Sequence, residues 1–167
     1  SVYNVIQEKI NMKISKKFEP IIIGLLASII IGVLAFLSFE TSTGFWLMFS
    51  FGSTTLIVLI FHESEFAQPG NVFFGHILGI VIGILFNKFV GISFITLGLS
   101  VGTTVTLMMY FKVIHPPAAA NPLIALFADV SIEYILFPVI MGSIIIIIIS
   151  LIINKIILKR NYPTRWF

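Results

Sequence analysis

Cysteine is absent from this chain of 167 residues, and charged residues make up only 10% of it. Without cysteine, disulfides, thiolate metal sites and thiol catalysis are excluded. A typical soluble domain carries about 25% charged residues, so the low charge argues against that class. The sequence also lacks His-Glu-x-x-His, Gly-x-Ser-x-Gly and a phosphate-binding glycine loop followed by Lys-Ser/Thr. We therefore predict no enzymatic activity, no catalytic residue, no cofactor and no metal ion.

Apolar residues are abundant instead: they form 58% of the chain, and 17 of them are phenylalanine. They fall into runs separated by short polar stretches. The runs are Ile21–Phe39, Phe45–Phe61, Val72–Phe86, Ile92–Phe111, Leu123–Ala128 and Tyr134–Ile153. This pattern predicts an all-α integral membrane protein, a compact helical bundle of about six membrane elements with four long spans and two short or broken helices.

The runs also indicate an internal duplication. Residues 52–61 can be laid on residues 118–127, because in both segments small or polar residues open a short apolar helix that lies between two long spans. We predict two halves of three elements each, related by inverted topology as in many transporters. Apolar sequence of low complexity aligns with itself easily, so chance similarity is the alternative.

Basic residues gather at the two ends of the chain, which predicts the topology. We divide the chain into a basic amphipathic N-terminal segment (1–19), a transmembrane domain (20–154) and a basic cytoplasmic tail (155–167). The basic ends place both termini in the cytoplasm, with a bacterial inner membrane as the expected location. Six crossings and four crossings with two re-entrant hairpins satisfy this equally well. Nucleic acid is not an expected partner, because no basic surface lies between the ends.

Small residues recur every four positions in three of the runs. The sets are Gly75, Gly79 and Gly83 in the third run, Gly24, Ser28 and Gly32 in the first, and Gly98 with Gly102 in the fourth. This spacing lets two helix backbones approach closely. We predict that all three sets are helix contacts of the scaffold; the alternative is that they line a pore.

The segment from His115 to Pro122 is the strongest functional candidate. Its three prolines break the helical hydrogen-bond pattern between apolar runs, and such backbone survives at membrane depth only inside protein or beside a wet cavity. A short helix starting there, and another starting near Gly52, would point free N–H groups at the site and bind a small anion. The alternative is that the prolines shape a turn and the hydroxyl groups cap a helix.

Polar groups near these two helix starts are the expected lining of the site. Histidine at membrane depth is a functional candidate by default, although a histidine bonded to a backbone carbonyl is the structural alternative. The predicted pathway residues are Ser53, Thr54, Thr55, Gln68, Asn71, His76, His115, Pro116, Pro117 and Asn121. His62 with Glu63 and Glu65 is interpreted as part of a solvated loop.

The same residues resemble the HPP family of integral membrane proteins, named for its His-Pro-Pro tripeptide. The matching segments are Phe51-Gly52-Ser53, Ala67-Gln68-Pro69-Gly70-Asn71 with Gly75-His76, His115-Pro116-Pro117-Ala118, Pro138 with Gly142, Asn154, and Tyr162-Pro163 with Trp166. The resemblance implies a compact bundle of at least four transmembrane helices. Through plastid and cyanobacterial members it also implies nitrite transport. Gly70 stands where the family pattern suggests arginine.

We therefore predict transport of a small monovalent anion, with nitrite favoured by the family resemblance. The expected partners are the lipid bilayer, the anion and further copies of the same chain, because a single chain of this size is small for enclosing a pathway. A membrane sensor or assembly subunit that does not transport is the alternative from another functional class.

Overall fold

The computed structural model describes residues 17–42 and 45–166, and this part of the chain is helical without any strand. The α-helices are α1 (Glu19–Glu40), α2 (Ser50–Ile60), α3 (Pro69–Phe89), α4 (Phe94–Tyr110), α5 (Asn121–Phe127) and α6 (Met141–Ile152). Short 3₁₀ helices lie at Glu65–Ala67 and Pro116–Ala120, and π-helical turns flank α6 at Ile135–Ile140 and Ile153–Ile157. The predicted all-α membrane fold is confirmed. Most of the predicted amphipathic segment 1–19 lies outside the described residues.

Element lengths follow the predicted order of long, short, long in each half. Among the described residues, three helices are long and apolar enough to cross a membrane: Glu19–Glu40, Pro69–Phe89 and Ile135–Ile157. Helix α4 has 17 residues, α2 has 11 and α5 has 7. At 1.5 Å per residue, α2 covers about 16 Å, roughly half of the hydrocarbon thickness. The two short elements are therefore α2 and the Pro116–Phe127 segment, as the sequence predicts.

Local sequence determines several of the helix ends. Proline occupies the first turn of α1, α3 and α5, where its missing N–H group costs nothing. Ser93 caps α4 by accepting a hydrogen bond from the Thr96 N–H at 3.1 Å. In the last membrane element, Phe137 has extended backbone angles directly before Pro138, so this long helix is kinked near its start.

Helix α3 lies at the centre, in contact with α4, α5, α6 and the Pro116–Ala120 turn. Its glycine face makes this packing possible. A Cβ atom at Gly75 would lie 2.8 Å from the Cβ of His115, one at Gly79 would collide with the carbonyl oxygen of Ala118, and one at Gly83 would lie 2.7 Å from a Cα of α5. The predicted helix contact is confirmed for this set. Because these glycines have no side chain, the His-Pro-Pro segment and α5 can pack directly against α3.

The other two sets of small residues do not behave as predicted. A Cβ atom added at Gly24 or Gly32 of α1, or at Gly98 or Gly102 of α4, would meet no atom within 4 Å. These positions face outwards from the described bundle. The prediction that they form helix contacts within the chain is wrong, because four-residue spacing identifies a common face but not the direction in which that face points.

The C-terminal segment folds back onto the loop between α2 and α3. The buried Tyr162 donates its hydroxyl proton to the carbonyl oxygen of Ala67 at 2.8 Å. The side-chain oxygen of Gln68 accepts a hydrogen bond from the Thr164 N–H at 2.9 Å, and the Gly70 N–H donates to a backbone carbonyl of the same segment at 2.9 Å. Residues 162–166 therefore form one end of the bundle.

Arg160 fixes the same segment to two helices. One guanidinium nitrogen donates to the carbonyl oxygen of Leu59 at 2.6 Å, near the C-terminal end of α2. Another lies 3.0 Å from the carboxylate of Glu19 at the start of α1. Arg160 thus satisfies a helix-end carbonyl and pairs with a carboxylate at once.

Candidate functional site

Four of the predicted site residues meet in the interior of the bundle. Thr54 comes from α2, His76 from α3, His115 from the segment before the Pro116–Ala120 turn, and Asn121 from the start of α5. Each is completely buried. We call these four residues the buried polar cluster. Most polar groups buried this deeply bond to one another or to backbone, and all four of these do.

The His115 ring has a defined tautomer. Its Nδ1 lies 2.7 Å from the carbonyl oxygen of Phe66, which can only accept, so Nδ1 carries the proton. The neutral ring then presents Nε2 as an acceptor. Thr54 Oγ1 lies 2.9 Å from this nitrogen and 3.1 Å from the carbonyl oxygen of Ser50, so its single hydroxyl proton is shared between these two acceptors. His115 thus bridges the 65–67 loop and α2.

The orientation of Asn121 determines the tautomer of His76. The Asn121 amide nitrogen lies 3.0 Å from the backbone carbonyl oxygen of His76, a contact that only a donor can make. The same nitrogen lies 3.1 Å from Nδ1 of the His76 ring, which therefore accepts. The proton of the neutral ring is then on Nε2, which donates to Thr54 Oγ1 at 2.8 Å. The two histidines are therefore opposite tautomers.

Ser50 extends the buried polar cluster and was not among the predicted site residues. Its hydroxyl donates to the side-chain oxygen of Asn121 at 2.9 Å, and the side chain is buried. Ser50 is the first residue of α2, and Asn121 is the first residue of α5. The starts of the two short helices are therefore joined by a side-chain hydrogen bond, as the expectation of converging helix starts requires.

Backbone N–H groups at these helix starts are less available than the sequence predicts. The N–H groups of Ala118 and Asn121 donate to the carbonyl oxygens of His115 and Ala118 within the 3₁₀ turn. Near the start of α2, the Phe51 N–H donates to a carbonyl oxygen one turn back. The expectation of free amide donors is wrong for these three groups. Consecutive 3₁₀ hydrogen bonds satisfy them, so the site offers side-chain groups instead.

An open groove of about 740 Å³ lies beside the buried polar cluster, between the two short helices. Its wall includes the two predicted residues Pro116 and Pro117 and the exposed Ser53. Apolar side chains of α2 and α5 form most of the remainder. Ser50 lines the groove and also bonds to Asn121, so it connects the groove to the buried polar cluster.

The remaining predicted residues lie apart from the cluster. Thr55 is buried, and its hydroxyl oxygen has no hydrogen-bond partner. Asn71 donates to the carbonyl oxygen of Ile114 at 2.9 Å, which holds the chain directly before His115. Gln68 donates to the carbonyl oxygens of His62 and Ser64 and accepts from the C-terminal segment, so it organises the loop.

His62 and its acidic neighbours form no metal site. Within residues 17–42 and 45–166, no group of three His, Asp or Glu side chains is arranged to hold a metal ion. His62 Nε2 lies 3.8 Å from the largely exposed carboxylate of Glu63. Partial burial and the positive charge of Arg160 lower the pKa of His62 below its usual value, and Glu63 opposes this shift.

Ser50 could have been found from one sequence signal. It lies one helical turn before Thr54, so both side chains fall on the same face of α2. The carbonyl of Phe66, which orients His115, carries no sequence signal because every residue has a backbone carbonyl. Its position depends on how the loop after α2 folds against the segment before Pro116.

Comparisons with known proteins place the sequence in a recognised family. Residues 11–163 match the family described as "HPP, transmembrane region". The chain is 28% identical over 126 residues to a transmembrane protein of Dictyostelium discoideum, covering 71% of this chain and 44% of that protein. A second transmembrane protein of the same organism is 29% identical over 132 residues, covering 73% of this chain and 42% of the relative. The chain thus spans less than half the length of these relatives, and no solved structure matches it.

Proposed function

Because the chain belongs to the HPP transmembrane family, we propose that it transports a small monovalent anion across the membrane, with nitrite as the favoured substrate. The proposal includes no enzymatic step and no cofactor. It places the protein in a bacterial inner membrane with both termini in the cytoplasm. The choice of nitrite comes from the family resemblance, whereas the choice of a small anion also has support in the site.

One observation carries the proposal: the starts of the two short helices meet through Ser50 and Asn121 beside the groove, directly against the buried polar cluster. Broken helices whose starts meet inside a bundle are the usual substrate sites of membrane transporters. Polar side chains at this depth are costly in a bilayer and are therefore functional candidates by default.

The chemistry of the groove favours a monovalent anion that gives up water readily. The Ser53 hydroxyl is a hydrogen-bond donor at its wall, whereas the Ser50 hydroxyl already donates to Asn121, and most of the other lining side chains are apolar. This lining supplies no full positive charge. A strongly hydrated or multivalent anion would lose more solvation there than the lining replaces.

Closure of the groove requires something beyond the single chain. The groove is open at its side, and exposed aromatic side chains such as Phe49 and Phe127 border the opening. A second copy of the chain would cover this apolar rim and separate the groove from lipid. We therefore include a homo-oligomer in the proposal, to be tested by cross-linking in native membranes.

The direct test is anion flux in proteoliposomes containing the purified protein. We expect nitrite uptake above that of protein-free vesicles, and less uptake of sulfate and phosphate. His115→Ala should abolish nitrite uptake while the protein remains folded, because it removes the connection between the 65–67 loop and Thr54. The control is His62→Ala, which changes a histidine of the loop and leaves the buried polar cluster intact.

One result would overturn the proposal, and two others bear only on the role of His115. Nitrite uptake equal to that of empty vesicles, together with no uptake of nitrate, formate or chloride, would favour the sensor or assembly subunit. Full activity of the His115→Ala protein would remove this histidine from the mechanism. Equal losses in the His115→Ala and His62→Ala proteins would indicate general damage rather than a defect in the site.

A further inference from the structure

We propose that a second groove, between α1 and α2, binds one anionic phospholipid, with the lipid phosphate at Arg160 and an acyl chain along the groove. This lipid groove has a volume of about 570 Å³. It shares no lining residue with the groove beside the buried polar cluster, so its occupation does not depend on anion transport.

The lipid groove has one charged end and an apolar body. Glu19, the first residue of α1, and Arg160 line the charged end, and every other lining residue is apolar or glycine. Arg160 contacts both Glu19 and the carbonyl oxygen of Leu59, so α1 begins and α2 ends at the same level. A phospholipid has the same division, with a charged headgroup followed by apolar chains.

The apolar body of the lipid groove has about the depth of one leaflet. Its lining runs from Glu19 to Ala27 on α1 and from Ile60 back to Gly52 on α2. Each stretch covers about 12 Å at 1.5 Å per residue. One leaflet supplies about 15 Å of a hydrocarbon core that is about 30 Å thick. An acyl chain that begins at the charged end therefore follows the groove nearly to the middle of the bilayer.

Two glycines leave the lipid groove open. Gly24 of α1 and Gly52 of α2 line it, and a Cβ atom added at either position would meet no atom within 4 Å. The glycines of α3 permit contact with α5, whereas these two leave space beside the helices. Lipid chains are as apolar as the leucine side chains of this wall, so they fill such space without a loss of solvation.

The charge near the lipid groove favours an anionic headgroup. Lys17 lies two residues before Glu19 in the chain, Lys159 lies directly before Arg160, and both lysines are exposed. Three basic residues thus accompany the one carboxylate at the charged end. Basic residues clustered where a membrane helix begins or ends attract anionic lipids.

Arg160 has the geometry to bind a phosphate at this end. Its guanidinium donates to the Leu59 carbonyl at 2.6 Å and lies 3.0 Å from the Glu19 carboxylate, while the side chain stays 20% exposed. These contacts use two of the five N–H donors, and a phosphate oxygen accepts from the others. Because the two contacts already hold the side chain, little conformational entropy is lost when the lipid binds.

Native mass spectrometry of the delipidated full-length protein in detergent tests lipid binding directly. We expect one phosphatidylglycerol per chain, bound in preference to phosphatidylcholine with the same acyl chains. Inorganic phosphate in excess should not displace it, because the acyl chain contributes much of the affinity. Equal binding of the two lipids, or displacement by inorganic phosphate, would overturn the proposal.

One variant tests the apolar body of the lipid groove without touching Arg160. Gly24→Leu places a side chain in the groove and should weaken phosphatidylglycerol binding by at least about tenfold. Gly98→Leu is the matched control, because Gly98 is a glycine of α4 that also meets no atom within 4 Å and does not line the groove. It should bind the lipid as wild type does.

A second variant tests the charged end. Arg160→Gln should weaken phosphatidylglycerol binding by at least about tenfold, since it removes charge-assisted hydrogen bonds to the phosphate. Arg165→Gln is the control, because Arg165 belongs to the same C-terminal segment but does not line the groove. If Arg160→Gln does not fold, the comparison of Gly24→Leu with Gly98→Leu decides alone.

The remaining outcomes identify other occupants or none. Unchanged lipid binding by the Gly24→Leu protein would mean that no acyl chain lies in the groove, which overturns the proposal. So would a fall in the number of chains per particle in this variant, because a second copy would then occupy the groove. Equal weakening in a variant and its control would also overturn it. None of these measurements uses nitrite, so failure of the proposed transport leaves them unaffected.

Discussion

Ser50 donates a hydrogen bond to Asn121 at 2.9 Å, and these are the first residues of the two short helices. The bond joins the two halves of the chain at the groove. The Asn121 amide nitrogen in turn donates to the His76 carbonyl oxygen, so this contact between residues 71 positions apart connects Ser50 to the buried polar cluster.

A double-mutant cycle should measure this bond. We expect Ser50→Ala and Asn121→Ala to couple by about 0.6 to 1.7 kcal/mol in unfolding experiments, the range typical of side-chain hydrogen bonds inside membrane proteins. Pairing Ser50→Ala with Thr104→Val, which shares no partner with it, should give additive effects within about 0.5 kcal/mol. Additivity in both cycles would contradict the contact.

Close packing of the glycine face of α3 should make it intolerant of a methyl group. Gly79→Ala places a Cβ against the Ala118 carbonyl, and we expect it to lower the free energy of unfolding by about 1 to 3 kcal/mol. Gly98→Ala in α4 meets no atom within 4 Å, so it should be neutral or stabilising by up to about 1 kcal/mol. Thermal unfolding in detergent compares the two. A stable Gly79→Ala protein would contradict the packing.

Tyr162 should stabilise the end of the bundle through its hydroxyl group. Burial raises the pKa of Tyr162, so the hydroxyl stays protonated and donates to the Ala67 carbonyl throughout the physiological pH range. Tyr162→Phe leaves that carbonyl unpaired and should cost about 1 to 3 kcal/mol of unfolding free energy. Tyr110→Phe is the control, because Tyr110 is 79% exposed. Equal unfolding midpoints for both variants would disagree with the structure.

Arg160 should control the titration of His62. Because the positive charge of Arg160 lowers the pKa of His62, Arg160→Gln should raise that pKa towards 6.5. The folded protein binds this proton less readily than the unfolded chain does, so stability falls as pH decreases from about 6.5 through the folded pKa. Arg160→Gln should narrow the pH range over which the stability falls, because the folded pKa of His62 moves closer to 6.5. Arg165→Gln should leave that range unchanged. NMR titration of His62 gives the pKa, and an unshifted value would refute the coupling.

The apolar runs were sufficient to predict the membrane elements. A bilayer requires every span to satisfy its own backbone hydrogen bonds, so composition and length determine helices directly. The short second element and the proline-rich fifth element were predicted for the same reason. The glycine set of α3 was predicted correctly, but the sets of α1 and α4 were not, since identical spacing fits contact with another helix and exposure to lipid equally well.

The sequence alone determined the class of protein, its helical elements and the presence of a polar break at His115-Pro116-Pro117. Only the tertiary structure brought Thr54, His76, His115 and Asn121 together, added Ser50, and separated Gln68 and Asn71 from them. The physical reason is that helix formation is local along the chain, whereas the direction of each hydrogen bond depends on backbone carbonyls supplied by distant segments.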